Sequence, residues 1–182
     1  MRVIAGSARG RKLKTLEGLD VRPTTDKVKE AIFSAIQFEL PGAVVLDLFA
    51  GSGQMGIEAL SRGADQAVFV DRSVRSLGVT RENLTAVQLL DRAQLHQMDA
   101  VSFLQTGDSL FDIAILDPPY RQGWHVKLFP FLESRMRTGG IVICEHETGL
   151  KLPETAGALH LEKQRKYGAI TVTTYVCRRG ET

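Results

Sequence analysis

The chain has 182 residues, of which 43% are hydrophobic and 24% are charged, proportions typical of one globular domain. No stretch approaches the roughly 20 apolar residues that a bilayer-spanning helix needs, which argues against an integral membrane protein. The first six residues contain no signal-peptide hydrophobic region, so we expect a cytoplasmic protein. Cys144 and Cys177 fit neither a zinc-ligand nor a disulfide pattern, and we expect both to be buried free thiols.

The net charge is only +2, but the basic residues are unevenly distributed. Residues 1–16 carry five basic side chains and no acidic one. Two smaller clusters follow later in the chain: Lys163, Arg165 and Lys166, then Arg178 and Arg179. Clusters of this kind are typical of a surface that binds a polyanion, although a solvated basic face would give the same pattern.

The first part of the chain predicts a small basic appendage followed by a helix. Residues 1–22 form the appendage, with short strands over 3–5 and 11–14 around glycine-rich turns. A helix capped by Thr24 or Thr25 is predicted to run to about Glu39. Its apolar positions recur at helical spacing: Val28, Ile32, Phe33 and Ile36.

From residue 44 onward, apolar strand patterns alternate with helical patterns. The predicted strands cover 44–48, 67–70, 94–98, 113–116 and 141–144, with a closing pair over 159–161 and 169–177. The predicted helices cover 54–62, 73–89, 100–104 and 125–136. This alternation predicts a mostly parallel sheet with helices on both faces. Ligands of such sheets bind at the carboxyl ends of the strands.

A glycine-rich loop follows the first of these strands. Residues 51–56 read GSGQMG and fit the pattern G-x-G-x-x-G between a strand and a helix. Glycine at 51 and 53 lets the backbone N–H groups approach a ligand closely. Asp71 ends the second strand 20 residues after Gly51, where a carboxylate can accept hydrogen bonds from ribose hydroxyls. This loop alone fits a nicotinamide, flavin or S-adenosylmethionine site, or a simple tight turn.

Two further carboxylates favour S-adenosylmethionine over a dinucleotide. Asp47 lies four residues before Gly51, where a negative charge suits the ammonium and sulfonium groups of that cofactor and opposes a pyrophosphate. Asp99 follows the third strand and could reach the adenine amino group, or could simply cap the helix that begins at Ala100.

The most specific signal is the tetrapeptide Asp-Pro-Pro-Tyr, which follows the fourth strand. Pro118 and Pro119 rigidify the backbone and remove two N–H donors, leaving the Asp117 carboxylate and the Pro118 carbonyl as acceptors. Together they suit an arylamine with two N–H groups, and Tyr120 could stack on the ring that bears it. The pattern predicts direct methyl transfer to nitrogen, helped by positioning and electrostatic stabilisation.

This chemistry needs neither a metal ion nor a covalent enzyme intermediate. The four histidines show no metal-ligand spacing and are interpreted as structural or surface residues. His146 is of interest because it follows the fifth strand. Trp124 either packs in the loop after the tetrapeptide or forms part of a lid.

With these motifs the chain resembles the class I methyltransferases and, more narrowly, the RsmD-type bacterial 16S ribosomal RNA guanine-N2 methyltransferases. The matching segments are 4–13, 22–33, 47–56, 58–64 and 117–120, and the Arg22-Pro23-Thr24 element is the most family-specific of them. The resemblance implies a Rossmann-like fold with a seven-stranded sheet whose last strand is antiparallel. It implies methylation of a guanine N2, conventionally numbered 966, in 16S rRNA or a partly assembled small ribosomal subunit.

The resemblance also implies roles for individual residues. Those expected to contact the cofactor are Asp47, Phe49, Gly51, Gly53, Asp71, Arg72, Asp99 and Ala100. Those expected at the target amine are Asp117, Pro118, Pro119 and Tyr120. Those expected to contact RNA are Arg9, Arg11, Lys12, Arg22 and Thr24. The expected organisation is an RNA-binding appendage over residues 1–22 and a methyltransferase domain over 23–182, in a monomer.

Other interpretations remain open at this point. A DNA adenine-N6 methyltransferase uses the same tetrapeptide, but such enzymes usually carry a separate target-recognition region, and the chain has no long insertion after Tyr120. Enzymes that methylate protein amide nitrogens typically have Asn in place of Asp117. A non-catalytic RNA-binding assembly factor would have lost a loop glycine or this carboxylate. A nicotinamide-dependent oxidoreductase would leave the tetrapeptide unexplained.

Overall fold

The structure is a computed structural model, and it describes residues 1–16 and 25–180. Its strands are β1 Val44–Asp47, β2 Gln66–Asp71, β3 Ala93–Gln97, β4 Phe111–Leu116, β5 Met136–Glu147, β6 Thr155–Ala156, β7 Leu159–Tyr167 and β8 Ile170–Cys177. They form one sheet in the order β3-β2-β1-β4-β5-β8-β7-β6. Strands β1 to β5 pair in parallel, whereas β8 is antiparallel to both of its neighbours, as expected for the last strand.

The strand number differs from the expected seven. Within the described residues the sheet has eight strands, because the two-residue strand β6 pairs antiparallel with the start of β7. This extra strand lies at the edge of the sheet and leaves the order of the other seven unchanged. The predicted fold class, a Rossmann-like α/β sheet, is therefore confirmed with this correction.

The helices cover both faces of the sheet. They are α1 Asp26–Ala35, α2 Gln54–Ser61, α3 Val74–Ala86, α4 Ala100–Thr106 and α5 Trp124–Leu132, with single turns of 3₁₀ helix at Leu90–Arg92 and Glu133–Arg135. Apolar side chains of α1, α2 and α3 pack with one face of the sheet, and those of α4 and α5 pack with the other. None of the described helices is long and apolar enough to cross a membrane.

The helix starts follow the predicted caps. The side chain of Thr25 accepts a hydrogen bond from the backbone N–H of Val28, at 3.4 Å, and begins α1. Helix α1 ends at Ala35 rather than near Glu39, because Ile36 leaves the helical conformation and the chain turns toward Pro41.

The region around β5 differs most from its sequence pattern. The predicted helix over 125–136 ends at Leu132, and β5 begins at Met136, five residues before the predicted strand. Met136 pairs with Phe111, and the register then shifts before Ile113 pairs with Ile141. Gly139, at φ +80°, lies within this irregular stretch. Glycine inside a strand often marks such a bulge. Gly139 and Gly140 therefore lie within β5, whereas the sequence pattern placed them before the start of the strand.

The basic appendage is docked onto the main core. The two strands predicted around its turns reduce to a single bridge between Arg2 and Lys12. Three of its apolar side chains belong to the core on the α1 face of the sheet: Val3, Ala8 and Leu13. The predicted domain boundary at residue 22 lies outside the described residues.

The two cysteines are buried and free, as predicted. Burial raises the pKa of the Cys144 thiol, which keeps it protonated at neutral pH.

Candidate functional site

The carboxyl ends of the central strands bring the predicted acidic residues to one edge of the sheet. Asp47 ends β1, Asp71 ends β2, Asp99 follows β3, and Asp117 follows β4 directly. Because β1 lies between β2 and β4, Asp47 is placed between the predicted ribose contact and the predicted target site. This order explains why Asp47 and Asp117, 70 positions apart in sequence, lie at the same edge of the sheet.

The glycine loop between β1 and α2 has the conformation that its sequence predicts. Gly51 and Gly53 have φ values of +54° and +79°, which L side chains rarely adopt. The Thr80 hydroxyl donates to the Gly51 carbonyl at 2.9 Å and fixes this loop. A Cβ at Gly53 would lie 2.7 Å from the Thr80 methyl group. The space at Gly51 is open apart from Leu16, so this is where a ligand can approach the backbone.

Gly56, the third glycine of the pattern, has a packing role. A Cβ there would lie 2.3 Å from the ring of Phe69 in β2. Its N–H donates to the Asp47 carboxylate at 2.9 Å. Gly56 therefore joins α2 to the sheet and also holds Asp47 in place.

Asp47 is the buried carboxylate of this edge, with only 3% of its surface exposed. Burial, opposed by the Gly56 hydrogen bond and assisted by the Asp71 charge, raises the pKa of Asp47 to about 7. A cationic ligand nearby would favour the ionised form. An acid in this position suits a ligand that carries positive charge and opposes one that carries phosphates.

Asp71 organises the loop around the predicted ribose position. Its carboxylate accepts from the N–H of Gly51 at 2.9 Å and from the N–H of Ser73 at 2.8 Å. Each carboxylate oxygen has a second acceptor position, which leaves room for the two hydroxyls of a ribose. The neighbouring Arg72 is exposed, and its cofactor contact stays a prediction.

Replacing Asp71 by Ala should weaken S-adenosylmethionine binding by about tenfold or more, because charge-assisted hydrogen bonds and the support of Gly51 are lost together. Isothermal titration calorimetry measures this effect directly. Asp65→Ala is the matched control, since Asp65 is an exposed carboxylate at the opposite edge of the sheet. Equal affinities for the Asp71 and Asp65 variants would remove Asp71 from the cofactor site.

Asp99 is exposed and caps α4. It accepts from the Ser102 N–H at 3.0 Å and from the Ser102 hydroxyl at 2.6 Å, and these hydrogen bonds lower the pKa of Asp99. The capping role considered from the sequence is therefore real. The contact of Asp99 and of the buried Ala100 with the adenine of the cofactor stays a prediction.

Asp117 lies in a group of three carboxylates. The pairing of Leu116 with Cys144 places Asp117 beside Glu145 on the next strand, on the same face of the sheet. Burial, the Glu145 charge and the Asp47 charge together raise the pKa of Asp117 well above its usual value. Glu145 was not among the predicted site residues. The only sequence feature that indicates a role for it is its position in the carboxyl-terminal part of the fifth strand.

The remainder of the tetrapeptide forms the rim of the site. Pro118 is buried, Pro119 is exposed, and Tyr120 is half-buried. None of the described peptide bonds is cis. The buried proline fixes the chain as it leaves β4, and the tyrosine ring remains partly accessible for stacking.

Two buried histidines support the strand ends from the α5 face. His146 lies 2.8 Å from the Thr173 hydroxyl and 3.0 Å from the Glu147 carbonyl. The His125 ring is 5.8 Å from it, and burial and His146 lower the pKa of His125 to about 4. Burial also lowers the pKa of His146, so both rings are neutral at pH 7 and act as structural groups, in line with the sequence interpretation.

Two aromatic rings connect the loops that flank the site. Phe49, before the glycine loop, lies 5.8 Å from Trp124 at the start of α5, with the rings tilted by 59°. The Trp124 indole N–H donates to Gln122 at 2.8 Å. Trp124 thus packs against a residue predicted to contact the cofactor, which places it beside the site.

Three of the predicted RNA contacts are exposed on the appendage: Arg9, Arg11 and Lys12. Arg11 donates to the Ala86 carbonyl and so also fastens the appendage to the end of α3. Arg22 and Thr24 lie outside the described residues.

Comparison with known proteins agrees with this geometry. The family described as "Conserved hypothetical protein 95" matches residues 1–176. YlbH of Bacillus subtilis, to which an rRNA methyltransferase activity is ascribed, is 40% identical over 96% of this chain and 98% of its own. The ribosomal RNA small subunit methyltransferase D of Escherichia coli is 32% identical over 96% of this chain and 89% of its own.

Solved structures show the same fold. The Escherichia coli protein yhhF, described as belonging to the methyltransferases, superposes with a TM-score of 0.88 at 29% identity, over 98% of each chain. An RNA methyltransferase from Salinibacter ruber in complex with S-adenosyl-L-homocysteine has a TM-score of 0.67 at 18% identity, over 88% of this chain and 96% of its own, which shows the fold alone. The predicted class, a methyltransferase with the class I fold, is confirmed, and the chain belongs to the family "Conserved hypothetical protein 95", together with the ribosomal RNA small subunit methyltransferase D proteins.

Proposed function

We propose that this protein transfers a methyl group from S-adenosylmethionine to the exocyclic N2 of guanine 966 in 16S rRNA, free or in a partly assembled small subunit. The observation that carries the proposal is the position of Asp117 and Pro118. They follow β4 at the strand edge that also carries the glycine loop and Asp47. Relatives named ribosomal RNA small subunit methyltransferase D support the choice of substrate.

The residues around the glycine loop fit the cofactor. Gly51 leaves the backbone open to a close ligand, and Asp71 offers acceptors to ribose hydroxyls. The buried Asp47 offers a negative charge to the cationic end. When bound, S-adenosylmethionine supplies an electrophilic methyl group. The chain holds it and orients the acceptor.

The target amine is held by two acceptors. The Asp117 carboxylate and the Pro118 carbonyl accept the two N–H groups of the guanine amine, and Tyr120 stacks on the base. These hydrogen bonds draw the nitrogen lone pair out of conjugation with the ring. They also stabilise the positive charge that develops on nitrogen during transfer, which is the main electrostatic contribution of the site.

The proton that the amine loses needs no strong base, because the amine becomes acidic as the new bond forms. We assign its receipt to Asp117, which accepts one of the amine N–H groups in this arrangement. The raised pKa of Asp117 makes this carboxylate a better proton acceptor than an ordinary aspartate.

A strain that lacks this protein tests the proposed activity in cells. Its 16S rRNA should lack one N2-methylguanosine, and wild-type protein, but not Asp117→Ala, should restore it. Primer extension and mass spectrometry of the rRNA locate the nucleoside. Unchanged modification in the deletion strain would overturn the proposed substrate.

The exposed cations of the appendage should contribute to RNA affinity through phosphate contacts. Replacing Arg9 and Lys12 by Gln should weaken binding to 16S rRNA and reduce the slope of log K against log salt by about 0.7 per lost contact. Arg137→Gln is the control, because Arg137 is an exposed cation at the opposite edge of the sheet. A salt slope equal to that of the control would remove the appendage from the RNA interface.

A further inference from the structure

A row of side chains crosses the sheet from the target site toward β7. Asp117 lies beside Glu145, Glu145 pairs with Val172, and Val172 pairs with Arg165. Side chains at paired positions point to the same face, so Arg165 and Asp117 share one face of the sheet. Three strand spacings separate them, which is about 14 Å.

The outer part of this face forms a narrow cleft between α1 and the strands β7 and β8. Its outer wall consists of Lys163 and Arg165, both exposed, and the half-buried Tyr167. Its inner wall consists of apolar α1 residues, including Ala31 and Ala35. No acidic residue is among the described residues that line it.

The charge of the cleft extends onto α1. Lys27 is exposed and precedes Ala31 by one helical turn, so it lies at the same side of the helix. No ion pair within the described ranges involves Lys27, Lys163 or Arg165. A groove with several uncompensated cations complements a polyanion.

The ring of Tyr167 in the cleft indicates which kind of polyanion binds there. Tyr167 packs one side of its ring against the core and remains partly accessible. Cations that follow a backbone, together with an aromatic surface on which a base stacks, are the combination used to bind single-stranded nucleic acid. The cleft and Asp117 lie on the same face of the sheet, about 14 Å apart, so one extended strand can contact both.

We propose that the single-stranded RNA flanking the target guanine lies across this cleft, with phosphates on Lys163 and Arg165 and one base stacked on Tyr167. This inference rests on the proposed function, because it extends the same RNA substrate beyond the reacting base. It assigns RNA contacts to two residues of the second basic cluster, Lys163 and Arg165, which lie far from the N-terminal appendage in sequence.

The test uses the full-length protein and 16S rRNA from cells that lack it. The double variant Lys163→Gln/Arg165→Gln should lower the salt slope of binding by about 1.4, at about 0.7 for each phosphate contact with a single strand. Tyr167→Leu should weaken binding roughly tenfold, whereas Tyr167→Phe should bind like wild type. Arg137→Gln, which removes one cation at the opposite edge of the sheet, is again the control, and its salt slope should equal that of wild type. Circular dichroism and S-adenosylmethionine affinity should stay unchanged in every variant, since none of these residues lies at the cofactor loop.

The outcomes separate this inference from the proposed function. Wild-type binding and methylation with an unchanged salt slope in the double variant would overturn the inference and leave the function standing. Weaker binding to assembled subunits with normal binding to free rRNA would show that the cleft contacts a ribosomal protein, and would also overturn it. Failure of the wild-type protein to bind or methylate rRNA would overturn both.

Discussion

Asp117→Ala is expected to reduce the methyl-transfer rate by about 100-fold or more, while the dissociation constant for S-adenosylmethionine stays within about twofold of wild type. In the proposed arrangement this carboxylate accepts a hydrogen bond from the target amine, so its loss removes an acceptor that matters most as charge develops on nitrogen. Single-turnover transfer with excess enzyme measures the rate, and calorimetry measures cofactor affinity. Full activity in this variant would contradict the proposed chemistry.

Two matched variants separate the roles of the three carboxylates. Asp117→Asn keeps one acceptor oxygen but loses the charge, so its rate should lie between those of wild type and Asp117→Ala. Glu145→Gln removes a neighbouring charge that raises the pKa of Asp117. That variant should retain transfer at neutral pH and differ from wild type chiefly in its pH dependence.

The pH profile follows from the sign of the Asp117 shift. Because the pKa is raised, the carboxyl group stays protonated to a higher pH than an ordinary aspartate, and a protonated carboxyl group accepts poorly. The transfer rate should therefore rise with pH through the raised pKa and then level off. Glu145→Gln should move this rise to lower pH, and Asp117→Asn should remove it. A wild-type rate independent of pH down to the usual aspartate range would contradict the assignment.

Glu58→Ala is expected to lower the free energy of unfolding by about 3–5 kcal/mol, because it leaves a buried lysine without its counter-charge. The Glu58 carboxylate is fully buried and accepts from the N–H groups of Ile4 at 2.8 Å and Ala5 at 3.0 Å. It also bonds Arg62 at 2.7 Å and lies 3.9 Å from the ammonium group of Lys29. One side chain thus fastens the appendage, α1 and α2 together.

The appendage offers its own control for this prediction. Glu82 pairs with Lys14 at 2.5 Å, but both side chains are more than half exposed, so Glu82→Ala should cost at most about 1 kcal/mol. Urea unfolding followed by circular dichroism compares the two variants. Similar midpoints for Glu58→Ala and Glu82→Ala would show that Glu58 does not hold the appendage to the core.

The fold and the edge that carries the site were predictable because both depend on local patterns. Apolar runs predicted β1, β2 and β4, and Thr25 and Ser73 marked the starts of helices that the structure confirms. The placement of Asp47, Asp71 and Asp117 at one edge of the sheet could be predicted because each lies at the end of a predicted strand. Their individual roles toward cofactor and target remain predictions.

The features that could not be predicted from the sequence depend on contacts between distant segments. Glu145 becomes part of the site only through the register of β5 against β4. In the sequence, Glu58 looks like an ordinary helix residue. Its role depends on the backbone N–H groups of Ile4 and Ala5, which lie 54 and 53 residues away in sequence. The bulge near Gly139 and the two-residue strand β6 likewise arise from strand pairing, for which a single sequence carries little signal.

The most direct test of the central claim is methyl transfer from labelled S-adenosylmethionine to small ribosomal subunits from cells that lack this protein, with the product nucleoside identified by mass spectrometry. The expected product is N2-methylguanosine at one site in 16S rRNA. Incorporation into DNA, with none into subunits or free rRNA, would contradict the substrate while leaving the fold and the transfer chemistry intact.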